Sequence, residues 1–293
     1  MLKKDMKWGA VFLAPYIIGL LVFSIIPVIF LVYFSFTNYN LFNPPEFVGL
    51  KNYIDVLTSV DTWRAFRNVG FYALIYIPLN VFFACVLAVA LNQKVKGMNV
   101  FRVIYFIPSL LPWVAVSLVF ISLFNPLYGS VNYLLSFLGI GPFEFTFSQS
   151  WVEVVASIAV IAVWKGVGYA SLYALAGLQN ISDDVLEAAE IDGAGTITKF
   201  FRIIIPLMTP TIFMLIIFGL SGSLSVFDSF LVMLGTGGVT SSEFTVINML
   251  IYNNAFQYNK IGTASAICWI AFAAVLLITL IQKKTEKRWV HYE

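Results

Sequence analysis

Charge is what this chain has least of. Only 11% of its 293 residues are Asp, Glu, Lys or Arg, and 17 basic residues nearly cancel 15 acidic ones. The net charge of +2 gives no sign of a nucleic-acid partner. Histidine occurs once, at His291 near the end, which argues against a histidine-based metal centre or catalytic triad. The two cysteines, Cys85 and Cys268, lie inside apolar runs and offer neither a disulfide framework nor metal-ligand spacing. No Gly-x-x-x-x-Gly-Lys-Ser/Thr phosphate loop occurs, so the chain is not expected to hydrolyse ATP itself. Internal repeats and low-complexity tracts are also missing. No catalytic residue and no metal ligand is assigned.

What is abundant is apolar: 60% of the residues are hydrophobic, and phenylalanine alone accounts for 28. That composition belongs to multi-span membrane proteins. A spanning helix needs roughly 20 mostly apolar residues. Six segments meet this, at about 8–36, 69–91, 103–124, 151–173, 203–220 and 263–281. The expectation is one all-α transmembrane domain over 1–293. Lys3, Lys4 and Lys7 give the first segment a signal-like start, but its apolar run is too long and no small-residue cleavage site follows. It reads as a retained span.

Orientation follows from Lys and Arg. An inner N-terminus puts Lys94, Lys96, Arg102, Lys199, Arg202, Lys283, Lys284, Lys287 and Arg288 inside with the first three lysines. Only Lys51, Arg64, Arg67 and Lys260 fall outside. Both termini are then cytoplasmic, and so is the segment 179–202.

That segment is the most polar in the chain. Asp183, Asp184, Glu187, Glu190 and Asp192 crowd it, and Ser182 suits a helix N-cap. Ala188 and Ala189 allow close approach to another surface, while Gly193 and Gly195 allow a sharp stop. A docking helix and an ordinary loop helix are both compatible with these residues. Glu187 could meet a partner or complete a capping box with Asp184.

The string Glu187-Ala188-Ala189, Asp192-Gly193-Ala194-Gly195 and Ile205-Pro206-Leu207 resembles the "EAA" loop of binding-protein-dependent ABC importer permeases. Within them it is similar to the sugar branch, of the maltose and glycerol-phosphate type. Weaker matches follow in the right order. They are Phe47-Val48-Gly49-Leu50-Lys51-Asn52-Tyr53, Phe227-Asp228, Thr236-Gly237-Gly238, Tyr252-Asn253-Asn254-Ala255-Phe256 and Gly262-Thr263-Ala264-Ser265-Ala266. The resemblance covers nearly the whole chain. It implies a type I importer permease fold in the bacterial cell membrane. It also implies a second homologous permease, two ATP-binding subunits that hold ATP and Mg, an extracellular solute-binding protein, and no cofactor on this chain. In it the loop is the cytoplasmic coupling helix. Glu187, Ala188 and Ala189 would form the docking face, with Asp192 and Gly195 in the motif. Gly193 would make the turn, and Pro206 would begin the next span.

The resemblance also points to a sugar path. Trp164, Lys165, Gly166 and Tyr169 precede the motif at the family's distance, and Gly222, Ser225, Asp228 and Ser229 fall where the family lines its cavity. A ring can stack on a sugar's apolar face, and a glycine leaves room for it. Plain aromatic packing and helix capping are the alternatives. Lys165 departs from the maltose pattern. It could pair with an acid such as Asp228, point into water, or contact an anionic sugar. Proline in Phe106-Ile107-Pro108-Ser109-Leu110-Leu111-Pro112 should bend the third span. Rival readings are the same architecture for another solute, a secondary transporter, and an intramembrane enzyme. The last two lack the inverted repeats, acidic relays or clustered reactive groups they require.

Overall fold

In hydrocarbon, backbone N–H and C=O groups find no water, so each apolar segment closes its hydrogen bonds as a helix. The computed structural model describes residues 12–93, 95–236 and 242–289. Lys3, Lys4, Lys7, Lys94, Gly237, Gly238 and His291 lie outside them. Helices dominate. Four are long and apolar enough to cross a membrane unaided: α1 (Phe12–Ser35), α3 (Val60–Leu91), α7 (Trp151–Leu178) and α13 (Ile261–Trp289). Two bent pairs complete six spans: α4 (Met98–Leu110) with α5 (Trp113–Leu123), and α9 (Thr196–Leu207) with α10 (Thr209–Leu224). Shorter helices link them: α2 (Lys51–Thr58), α6 (Ser130–Phe137), α8 (Asp183–Ile191), α11 (Asp228–Thr236) and α12 (Ile247–Tyr252).

Proline sets the irregularities. Pro27 and Pro206 each follow a π turn, Leu21–Ile25 and Phe200–Ile204. A proline ring displaces the carbonyl four residues back, and a wider turn absorbs the displacement. The expected bend in the third span is a full break. Leu111 and Pro112 are extended, and α5 leaves α4 at 94°. The fifth span breaks by 73° at Met208. Pro206 therefore does not open that span. It sits just before the bend, and Pro210 lies in the first turn after it.

The chain forms two compact units, Met1–Thr62 with Leu250–Ala273, and Trp63–Met249 with Ala274–Glu293. In the first, the motif around Asn52 serves as a staple. Asn52 is buried, and its Nδ2 donates to Ser35 O (2.9 Å) and Thr37 O (2.8 Å) at the end of α1. Ser35 O is one of the carbonyls that a helix terminus leaves without partners, and Thr37 O lies two residues beyond it. Tyr53 adds a bond to Ser35 Oγ (2.8 Å).

The second unit holds the larger core. Ala84, Cys85 and Ala88 of α3 meet Ala170, Ala174, Leu175 and Leu178 of α7, with Ile204, Met208 and Leu215. Small side chains bring membrane helices close. At one end of α3, buried Asn68 donates to Glu243 O (2.7 Å) and Thr245 O (3.0 Å), and Arg67 lies 3.8 Å above the Trp151 ring.

Asn52→Ala should lower stability by about 1–3 kcal/mol, because it strands two buried carbonyls. Thermal unfolding in detergent measures this, and an unchanged midpoint would rule out the staple.

Candidate functional site

Two features stand out, an exposed hairpin and a pair of hollows. Both are built on α7 and its neighbours.

The hairpin begins just past the end of α7. Ser182 occupies the N-cap position of α8, but its side chain makes no capping bond. The capping box with Asp184 does not form, because Asp184 is already inside the helix and Glu187 is exposed. Gly193 ends the helix at φ +77°, donating to Glu190 O (3.0 Å) while Ala194 donates to Ala189 O (2.9 Å). This is the Schellman arrangement, which places the left-handed residue just beyond the cap. Gly195 plays no such part. Its φ is −66°, and open space surrounds it. Lys199 pairs with Glu190 across the hairpin. Leu186 and Ile181 pack on the core. Glu187, Ala188 and Asp192 face outward, whereas Ala189 is buried within its own chain. In place of Ala189, the outward face has exposed Ile191.

The first hollow, about 380 Å³, lies between α3, α7 and α10. Tyr76, Asn80, Gly166, Tyr169, Tyr173 and Phe218 give it its character. Tyr169 and Tyr173 meet edge to face with centroids 5.4 Å apart, their hydroxyls 3.2 Å apart, and Tyr173 continues onto Phe218. Asn80 is buried, and among the described residues its Nδ2 has no hydrogen-bond partner. Such an orphaned donor is costly and usually awaits a ligand or water. A second hollow, about 210 Å³, shares Tyr76 and adds Tyr72, Trp113, Gly222, Ser225, Asp228 and Ser229. Ser229 Oγ is also buried, without a partner among the described residues. Asp228 opens α11 and is exposed. Among the described residues, neither hollow is lined by lysine, arginine or histidine.

Two predicted residues behave differently. Trp164 is outside both linings and packs edge-on against Phe120 at 5.3 Å. Lys165 does not pair with Asp228. Its Nζ donates to the backbone oxygen of Ser109 (3.2 Å) and lies 5.0 Å from the Trp113 ring centroid.

Comparison with known proteins decides the family. Residues 71–291 match the model of the binding-protein-dependent transport system inner membrane component. This chain belongs to that family. The permease is 35% identical to the probable ABC transporter permease protein YesP of Bacillus subtilis, over 100% of this chain and 94% of that one. It is 33% identical to the multiple sugar-binding transport system permease protein MsmF of Streptococcus mutans, covering 96% of each. Its fold matches a bacterial ABC transporter involved in importing the acidic polysaccharide alginate. The TM-score is 0.84 at 24% identity, over 99% of both chains. The permease thus has the six-span fold that the resemblance implied, and it is a multi-pass membrane protein.

Several lining residues escaped the sequence reading: Tyr72, Tyr76 and Asn80 on α3, Trp113 on α5, and Tyr173 and Phe218. Asn80 carried a usable signal, being an amide inside the apolar run 69–91. The aromatics carried none, since rings are everywhere in this chain.

The φ at Gly193 makes a graded prediction. Asparagine tolerates the left-handed region, and β-branched residues do not. Gly193→Asn should retain most ATPase stimulation by the assembled permease. Gly193→Val should lose it, with about 1–2 kcal/mol of local strain. Gly193→Asp tolerates the same φ, so it should stay in the membrane, and any loss beyond that of Gly193→Asn comes from its added charge. Equal hydrolysis rates in all three would exclude the turn as a requirement.

Proposed function

We propose that this permease is the translocating subunit of an ATP-driven importer for a saccharide or related polyol handed over by an extracellular solute-binding protein. It works beside a second, homologous permease. Two ATPase subunits bind ATP and Mg, and this chain binds no cofactor. Its N- and C-termini are cytoplasmic, as is the α8 hairpin.

One observation carries this reading. The unbroken α7 lines an aromatic and amide-bearing hollow along one stretch, and α8 follows after a short link with its acidic, small-faced surface outward. Glu187, Ala188 and Gly193 make the ATPase contact and its turn, with Asp192 at the rim. Gly166, Tyr169, Gly222, Ser225, Asp228 and Ser229 line the path. Tyrosine and phenylalanine rings offer faces to a pyranose, and Asn80, Ser229 and Asp228 offer hydrogen bonds to its hydroxyls. Sites of this kind combine apolar walls with a few placed polar groups. The cycle is alternating access: ATP-driven closure moves the hairpins, and stiff helices carry that motion to the hollows. No covalent chemistry occurs on this chain.

Names among the relatives support a carbohydrate. Besides MsmF, the chain is 31% identical to the trehalose/maltose transport system permease protein MalF of Thermococcus litoralis. The absence of basic residues from both linings weighs against an anionic solute as the alternative.

The test is ATP hydrolysis by the reconstituted complex with its binding protein, across a panel of neutral saccharides. At least one should stimulate hydrolysis. Asn80→Leu should raise the half-saturating concentration of that saccharide by about 3–10-fold, the worth of one or two lost hydrogen bonds. No stimulation by any saccharide would remove the carbohydrate reading.

A further inference from the structure

The break between α4 and α5 creates a problem that Lys165 solves. In a continuous helix Ser109 O would accept from the N–H four residues on, or three in a tightened turn. Three residues on is Pro112, which has no N–H, and four residues on is Trp113, which turns away at the start of α5. Among the described residues, no backbone donor crosses the break to Ser109 O. An unpaired carbonyl at membrane depth is costly. Lys165 fills the vacancy from α7 with its ammonium, 3.2 Å from that oxygen. Ser109 reciprocates, its Oγ donating to the backbone oxygen of Lys165 at 2.8 Å. One turn along α7, a Cβ on Gly168 would stand 2.7 Å from both Ser109 Oγ and Tyr105 O, so only glycine lets the two helices approach this closely.

The clasp sits between two walls. Gly166 and Tyr169, beside Lys165 on α7, line the first hollow, and Trp113, just past the break, lines the second. Trp113 also receives the Lys165 ammonium over its ring at 5.0 Å. α7 then continues without interruption to Leu178, and α8 starts at Asp183.

We propose that Lys165 is a positioning residue. Through Ser109 it fastens the broken third span to α7, so that displacement of the α8 hairpin moves Trp113 together with Gly166 and Tyr169. Its charge serves the backbone of a neighbouring helix and does not contact the transported solute. This inference rests on the reading of α8 as the ATPase-coupling hairpin.

The experiment needs no identified solute. In the assembled complex with Cys85 and Cys268 replaced, Trp113→Cys and Tyr169→Cys are introduced separately. Thiol-labelling rates are measured without nucleotide and after trapping with ATP and vanadate. With Lys165 intact, both sites should change rate by about fivefold or more, the lower end of ordinary coupling factors. Adding Lys165→Met should reduce the change at position 113 to less than about twofold and spare the change at 169. Lys165→Arg should rescue it, and Ser109→Ala should weaken it in the same direction. A full change at 113 in Lys165→Met overturns the proposal. If that variant does not assemble, a full change at 113 in Ser109→Ala overturns it equally. No response at either site with Lys165 intact would instead refute the coupling role of α8.

Discussion

The constraint on which this structure depends is the cost of an unpaired backbone group in hydrocarbon. Straight spans meet it without help, and a transport path cannot be built from straight spans alone. At several departures from regular helix, a side chain arrives to take a stranded carbonyl. Asn52 does so at the end of α1, Asn68 where residues 243 and 245 turn, and Lys165 at the α4–α5 break. Thr209 Oγ1 does the same on a smaller scale, donating to Pro206 O (2.8 Å) at the bend in the fifth span. Polar residues are few, and these are placed where a backbone group would otherwise be stranded.

The breaks coincide with the useful space. Trp113 reaches the second hollow because α5 departs sharply from α4. Ser225 to Ser229 reach it because α10 ends and α11 begins there. Asn80 and Ser229 differ, since among the described residues their buried donors have no protein partner.

How much of this was legible followed from the type of signal. The spans and their order came from apolar run length, which is nearly independent of packing. The hairpin came from a local motif whose turn needs a glycine at one φ, and Gly193 has it. Facing was not legible. On a helix, adjacent residues point about 100° apart, so Trp164, Lys165 and Gly166 serve three surfaces: Phe120, the α4 break and the first hollow. Adjacency in sequence suggested one site. The same geometry buries Ala189 while Ala188 stays exposed. Gly195 looked equivalent to Gly193 because composition does not reveal φ. Pro206 seemed a starting point because the bend at Met208 leaves little trace beyond the nearby prolines.

A lever must be stiffer than what it moves, and the hairpin meets that requirement with local means. Its turn is closed by two backbone bonds, its arms by the Glu190–Lys199 pair, and its inner face by Leu186 and buried Ala189. An exposed ion pair contributes little energy on its own, so the rigidity rests on the turn and the apolar anchor. Asp183 and Asp184 sit in the first turn of α8, where the helix dipole favours them, and Glu187 and Asp192 face outward. Of the acids on this helix, Glu190 is drawn into the hairpin's own pairing, and the anchored turn at the end of an unbroken span gives the exposed outer face a firm backing.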